Sequence, residues 1–209
     1  MSALSLHKKI EENTGLLIFG ILLVSAIGGL VQILPVLNQK SLEEPTVNTK
    51  PYSAIELTGR DIYMREGCSV CHSQQIRPLI AEVERYGPYS RAGEFVYDRP
   101  FMWGSKRTGP DLHRIGGKYT DDWHRIHLID PRTVVPESIM PGYPWLAERA
   151  ASETGNIVAK MTALRKLGHP YTDAQIAAAE SDLEGLMEID ALTAYLQILG
   201  TGLDEEIAR

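Results

Sequence analysis

Cys68-Ser69-Val70-Cys71-His72 holds both cysteines of a 209-residue chain, and its spacing is that of a covalent haem c attachment site. Two thiols separated by two residues can each add across a haem vinyl group while the adjoining histidine turns under the macrocycle to ligate iron. Shifted by one residue, the imidazole misses the metal. Two cysteines scattered at random over such a chain fall at this separation roughly once in a hundred sequences, and six histidines put one next door in roughly 3% of those. Other uses of the pair fit less well. A thioredoxin-like redox pair belongs near a βαβ pattern, which the flanks do not show. A structural zinc site wants four ligands, and here the rest would be histidines at unrelated spacings. A disulfide across so tight a loop is strained and closes almost no chain.

Working outward, AIELTGRDIYMREG (residues 54–67) has Ile55, Ile62, Tyr63 and Met64 at helix-like spacing and ends on Gly67, which predicts a helix that delivers the thiols to the haem edge. Near the other end, Met187 to Leu199 predicts a second amphipathic helix with Ile189, Leu192, Tyr195, Leu196 and Leu199 on one face, stopped by Gly200. Gly59 with Tyr63, and Leu192 with Tyr195 and Leu196, resemble the crossed terminal helices of class I cytochromes c, where a glycine lets two backbones approach closely.

A low-spin haem needs a sixth ligand. Met140 stands in VVPESIMPGYPWL, a proline-stiffened loop that would hold a thioether over the distal face at little backbone entropy. Met64 is too close to the thiols, Met161 and Met187 read as core fillers, and Met102, between Phe101 and Trp103, is the next candidate. A bis-histidine iron using His113, His124, His127 or His169 is the other option. His72 with Met140 is the ligand pair of an electron carrier, because it raises the potential and leaves no open position for oxygen or peroxide. Gly109-Pro110-Asp111-Leu112 resembles the class I segment whose proline carbonyl accepts the proximal histidine's Nδ1 proton, orienting the ring. Read alone it is an ordinary Gly-Pro turn. Arg107 and Arg114 flank it as candidate partners for the haem propionates.

Toward the N-terminus, LLIFGILLVSAIGGLVQILPVL (residues 16–37) carries no charge and as a helix extends about 33 Å, enough to span a hydrocarbon core. Its apolar run is too long for a cleaved signal, so an uncleaved anchor is expected. Lys8 and Lys9 precede it, whereas Lys40 is answered by Glu43 and Glu44 after it, which places residues 1–15 in the cytoplasm and the rest across the membrane. Haem attachment in bacteria also takes place outside the cytoplasmic membrane. Ser25 and Gly29 make a small-xxx-small pair suited to a partner helix. Residues 38–53, with Pro45 and Pro51, read as an extended linker and residues 54–209 as the haem domain.

A net charge of −6 argues against nucleic acid as a partner, and 44% hydrophobic residues suffice for a core. The stretch between the thiols and Met140 is longer than haem wrapping needs. Tyr86, Tyr89, Phe95, Tyr97, Phe101, Trp103, Lys106, Lys118 and a helix capped by Thr120 give it an aromatic and basic content that suits a permanent interface. A helix over residues 156–167 stopped by Gly168, and a capping box from Thr172 and Gln175, follow. From Asp173 on the chain is acidic, with Arg209 its one base, either a docking face for a basic donor or a solvated helix face.

GCSVCHSQQIRP, WGSKRTGPDL, WHRIHLIDPRTVVPESIMPGYPWL and MTALRKLGHPYT, together with the anchor, resemble the membrane-anchored mono-haem cytochrome c subunit (subunit II, CcoO/FixO type) of bacterial cbb3-type cytochrome c oxidases. The resemblance implies a mainly α chain with one N-terminal transmembrane helix and a class I cytochrome c-like domain with a long insertion. It further implies relay of electrons from a di-haem cytochrome c subunit or a soluble cytochrome c to the haem b and haem–copper centre of the catalytic subunit, where oxygen becomes water. Calcium near Ser105 at the interface with that subunit is a further implication. A free-standing anchored shuttle would need a longer tether, and a haem enzyme such as a peroxidase an open distal site.

Overall fold

The computed structural model describes residues 3–39, 42 and 44–203. It divides into two compact units, the first ending at Glu44 and the second starting at Pro45. Lys40 and Glu43 of the charge argument, and Asp204, Glu205, Glu206 and Arg209 of the acidic run, lie outside the described residues.

The first unit holds α1 (Ala3–Glu12) and α2 (Thr14–Leu37). Between them the Asn13 side chain accepts the Leu16 amide at 3.0 Å, satisfying a donor that a helix start leaves without a partner. α1 is polar, with Lys8 one turn from Glu12 at 3.6 Å. α2 reaches a mean hydropathy of 2.5, and none of its residues is buried in protein. Its apolar side chains are exposed all round, which suits lipid as solvent. The span expected at residues 16–37 lies within it. Among the described residues it is the one helix long and apolar enough to cross a membrane.

The second unit is built on α3 (Ala54–Arg65) and α9 (Glu188–Ile198). Ser53 and Glu56 form a capping box that starts α3. The two helices cross at Gly59, where an added Cβ would lie 2.8 Å from Tyr195 Cβ and against the Ala191 carbonyl. Ile62, Tyr63, Ile189 and Tyr195 are fully buried at the crossing. Each apolar side chain so buried contributes about 2 kcal/mol. Tyr63 and Tyr195 meet edge to face at 5.4 Å, and the Tyr195 hydroxyl shares a 3.1 Å hydrogen bond with the Gln74 side chain, just beyond the thiols.

Between these helices come α4 (Cys68–Cys71), α5 (Ile80–Tyr86), α6 (Asp121–Ile129), α7 (Ile157–Lys166) and α8 (Asp173–Ala178). Thr120 caps α6, Asn156 caps α7 and Thr172 with Gln175 boxes α8, as the sequence leads one to expect. The described residues contain no strand, only isolated bridges such as His72 with Arg107.

Three expectations change. Met161 is a core filler at 2% exposed, but Met187 is 38% exposed, because it stands before the first turn of α9 with its amide bound to Asp190. The compact domain starts at Pro45 and not at Ala54. The Thr46 hydroxyl donates to the Gly202 carbonyl at 2.8 Å and the Asn48 amide to Leu203 at 3.0 Å, tying half of the expected linker into the domain. The insertion's aromatic content is divided between outside and inside. Phe101 is exposed and stacks on Trp103 at 4.5 Å, whereas Phe95 is buried against Trp103 and His113. The insertion is held to α3 by Arg60, buried to 1% exposure. That guanidinium donates to the Arg99 carbonyl at 2.9 Å and lies 3.5 Å from Asp98, which also accepts the Tyr52 hydroxyl at 2.7 Å. Burial pushes the Asp98 carboxyl up, and Arg60 opposes it.

Candidate haem site

Gly67 has a φ of 73°, left-handed backbone that a glycine adopts freely, and this turns the chain from α3 into the single turn of α4. Cys68 and Cys71 are free thiols, the first partly buried and the second exposed. Burial pushes the Cys68 thiol up to about 12.

His72 Nδ1 lies 2.8 Å from the Pro110 carbonyl oxygen. A carbonyl only accepts, so Nδ1 carries the proton and the lone pair sits on Nε2, the nitrogen an iron would take. Gly109 supports the ring from below: a Cβ there would be 2.6 Å from Nδ1 and 2.7 Å from Nε2. The Gly109 amide donates to Cys71 and the Leu112 amide to Ser73, each at 2.9 Å, pinning the Gly-Pro segment along the thiol segment. Burial lowers the basicity of His72.

Asp111, 5% exposed, organises this region. Its carboxylate accepts the Ser73 hydroxyl at 2.6 Å, the Gln75 amide at 2.9 Å, the His113 amide at 2.8 Å and Arg107 at 2.7 Å. Arg107 also holds Glu82 at 2.7 Å. Arg114 grips Glu94 and donates to the Pro88 and Tyr89 carbonyls. Both arginines expected near propionates are thus engaged by carboxylates of the domain. The sequence reading passed over Asp111, although it stands within the very Gly-Pro motif that was singled out.

Met140 is partly buried against the core, its amide 3.2 Å from the Ser138 hydroxyl. The loop beyond it is anchored twice. The Tyr143 amide donates to Leu128 on α6 at 2.7 Å, and Trp145 Nε1 donates to Glu66, next to the thiols, at 3.3 Å. Burial raises the Tyr143 hydroxyl above its ordinary range. Met102 is buried in the core at 9% exposure. His113 has both ring nitrogens engaged, Nδ1 with Ser90 at 2.5 Å and Nε2 beside Glu94 at 3.5 Å. His169 is buried between Tyr97 and Tyr171. Ser105 is exposed, and no group of three or more His, Cys, Asp or Glu that would hold a metal gathers among the described residues.

The donor set fits a haem. Two unpaired thiols stand beside an imidazole whose Nδ1 is committed to Pro110 and whose ring rests over Gly109, the donor set a covalent haem requires. The chain is mainly helical, with one N-terminal helix long and apolar enough to cross a membrane. The family model described as cytochrome c oxidase, mono-heme subunit/FixO, matches residues 7–187, and the chain belongs to that family. Membership implies haem c as cofactor and the catalytic subunit of a cbb3-type oxidase as partner. Comparison with curated proteins gives no match.

Proposed function

We propose that this chain passes single electrons from a c-type cytochrome, either a di-haem subunit of the same complex or a soluble carrier, to the haem b and haem–copper centre of the catalytic subunit, where oxygen is reduced to water. Cys68 and Cys71 would hold the haem through thioether bonds, with His72 and Met140 on its iron. When bound, the haem supplies a one-electron iron couple, which His and Met ligands set high. The chain's own part is positional. Pro110 fixes the His72 ring and its tautomer, Gly109 leaves room for it, and Asp111 locks the segment that carries both. Oriented by Lys8 and Lys9, α2 would hold the domain on the periplasmic face of the inner membrane.

The observation that carries this reading is His72 Nδ1 committed to Pro110 with Nε2 free beside two unpaired thiols. The test is purification in mild detergent from a host with haem-attachment machinery. The expected result is a polypeptide that keeps peroxidase-active stain after denaturation and brings down a large copper-containing membrane protein. A stain-negative band, or isolation as a monomer, overturns the proposal.

A further inference from the structure

His127 Nδ1 is buried and has no hydrogen-bond partner. A polar atom left so costs about 1–3 kcal/mol, which a fold bears where a partner arrives later. Trp123 stacks on the His127 ring at 4.6 Å and 11°, fixing its plane from within α6. The next residue, Leu128, accepts the Tyr143 amide at 2.7 Å, so the turn from Met140 to Tyr143 is fastened to the same turn of α6 as His127. Two residues beyond Tyr143, Trp145 Nε1 donates to Glu66, beside the thiols, at 3.3 Å. Hydrogen bonds thus tie the Met140 loop both to α6 and to the residues beside the thiols, and the unpartnered nitrogen lies on α6 next to the first of these ties. His124 Nε2 is also unpartnered, but that ring is buried edge-on between Tyr119 and Trp123.

We propose that His127 is a positioning residue for the distal ligand, its Nδ1–H donating a hydrogen bond to the Met140 sulfur once that sulfur is on iron. The inference rests on the haem reading above. A thioether is a weak acceptor, and a donor aimed at it does two things. It holds the sulfur in one orientation, and it draws electron density from it. The weakened sulfur stabilises ferric iron less than ferrous iron, so the hydrogen bond keeps the potential high.

The test uses the full chain, purified with its haem as wild type and as His127→Phe, His127→Leu and His127→Asn. Haem stain per polypeptide and the midpoint potential from optical redox titration are both read. The expected result is unchanged covalent haem in all, a lower midpoint in the Phe and Leu variants, and a midpoint near wild type for Asn, whose amide offers a donor close to the same place. A wild-type midpoint in Phe and Leu overturns the proposal. So does an Asn variant displaced as far as Leu, the sign of a space-filling role, or loss of haem from all three variants. A wild-type chain without covalent haem instead sinks the haem reading beneath it, so the two failures are distinct.

Discussion

Gly59 lies on the main chain of Ala191 so closely that a β-carbon at Gly59 would stand 2.5 Å from the Ala191 carbonyl carbon. What it would meet is backbone, which cannot rotate aside as a side chain can. The crossing of α3 and α9 is therefore set by the absence of one methyl group. Gly59→Ala is expected to destabilise the domain by about 3 kcal/mol, the upper part of the usual overpacking range. Urea unfolding followed by tryptophan fluorescence measures it, and a change below about 0.5 kcal/mol would show that the helices slide apart freely.

With haem held as proposed, Met140→Ala should leave it on the thiols, because Cys68, Cys71 and His72 lie on a different segment from the Met140 loop. The midpoint potential should fall, and the reduced spectrum should respond to carbon monoxide, which binds an iron with a vacant position. A spectrum indifferent to carbon monoxide would mean that another residue is the sixth ligand.

Glu82 gives the pH dependence a definite direction. Its carboxylate is lowered to about 2, first by the side chain of Arg77 and further by the Arg77 amide and Arg107. A folded-state value below the unfolded one adds stability above the ordinary glutamate range, and that share is lost as pH falls from about 5 toward 2. Arg77 is 61% exposed, so solvent screening limits the contribution to about 1 kcal/mol. Glu82→Gln should therefore be less stable than wild type at pH 7 and nearly equal to it near pH 2, as read by urea midpoints. A difference that stays constant with pH would falsify the assignment.

The terminal helices, the caps at Thr120 and Thr172, and the thiol–histidine motif were legible in the sequence because each is decided by residues a few positions apart. Asp111 and Glu82 were not, since which arginine a carboxylate meets depends on how distant segments fold together. Arg107 and Arg114, candidates for the propionates by their place beside the Gly-Pro turn, have Asp111 with Glu82, and Glu94, as partners for the same reason. The domain's start at Pro45 was hidden likewise, because Thr46 and Asn48 bond to Gly93, Gly202 and Leu203, residues far along the chain. Gly109 and Pro110 were found through resemblance; nothing local distinguishes them from a turn.

Because Gly59 closes onto Ala191, the ribosome completes nearly the entire domain before its first helix can find its mate. Long-range closure of this kind is entropically slow. During synthesis the thiols at Cys68 and Cys71 thus belong to an open polypeptide, where the proposed haem attachment would find them accessible, and shutting the fold is left to α9.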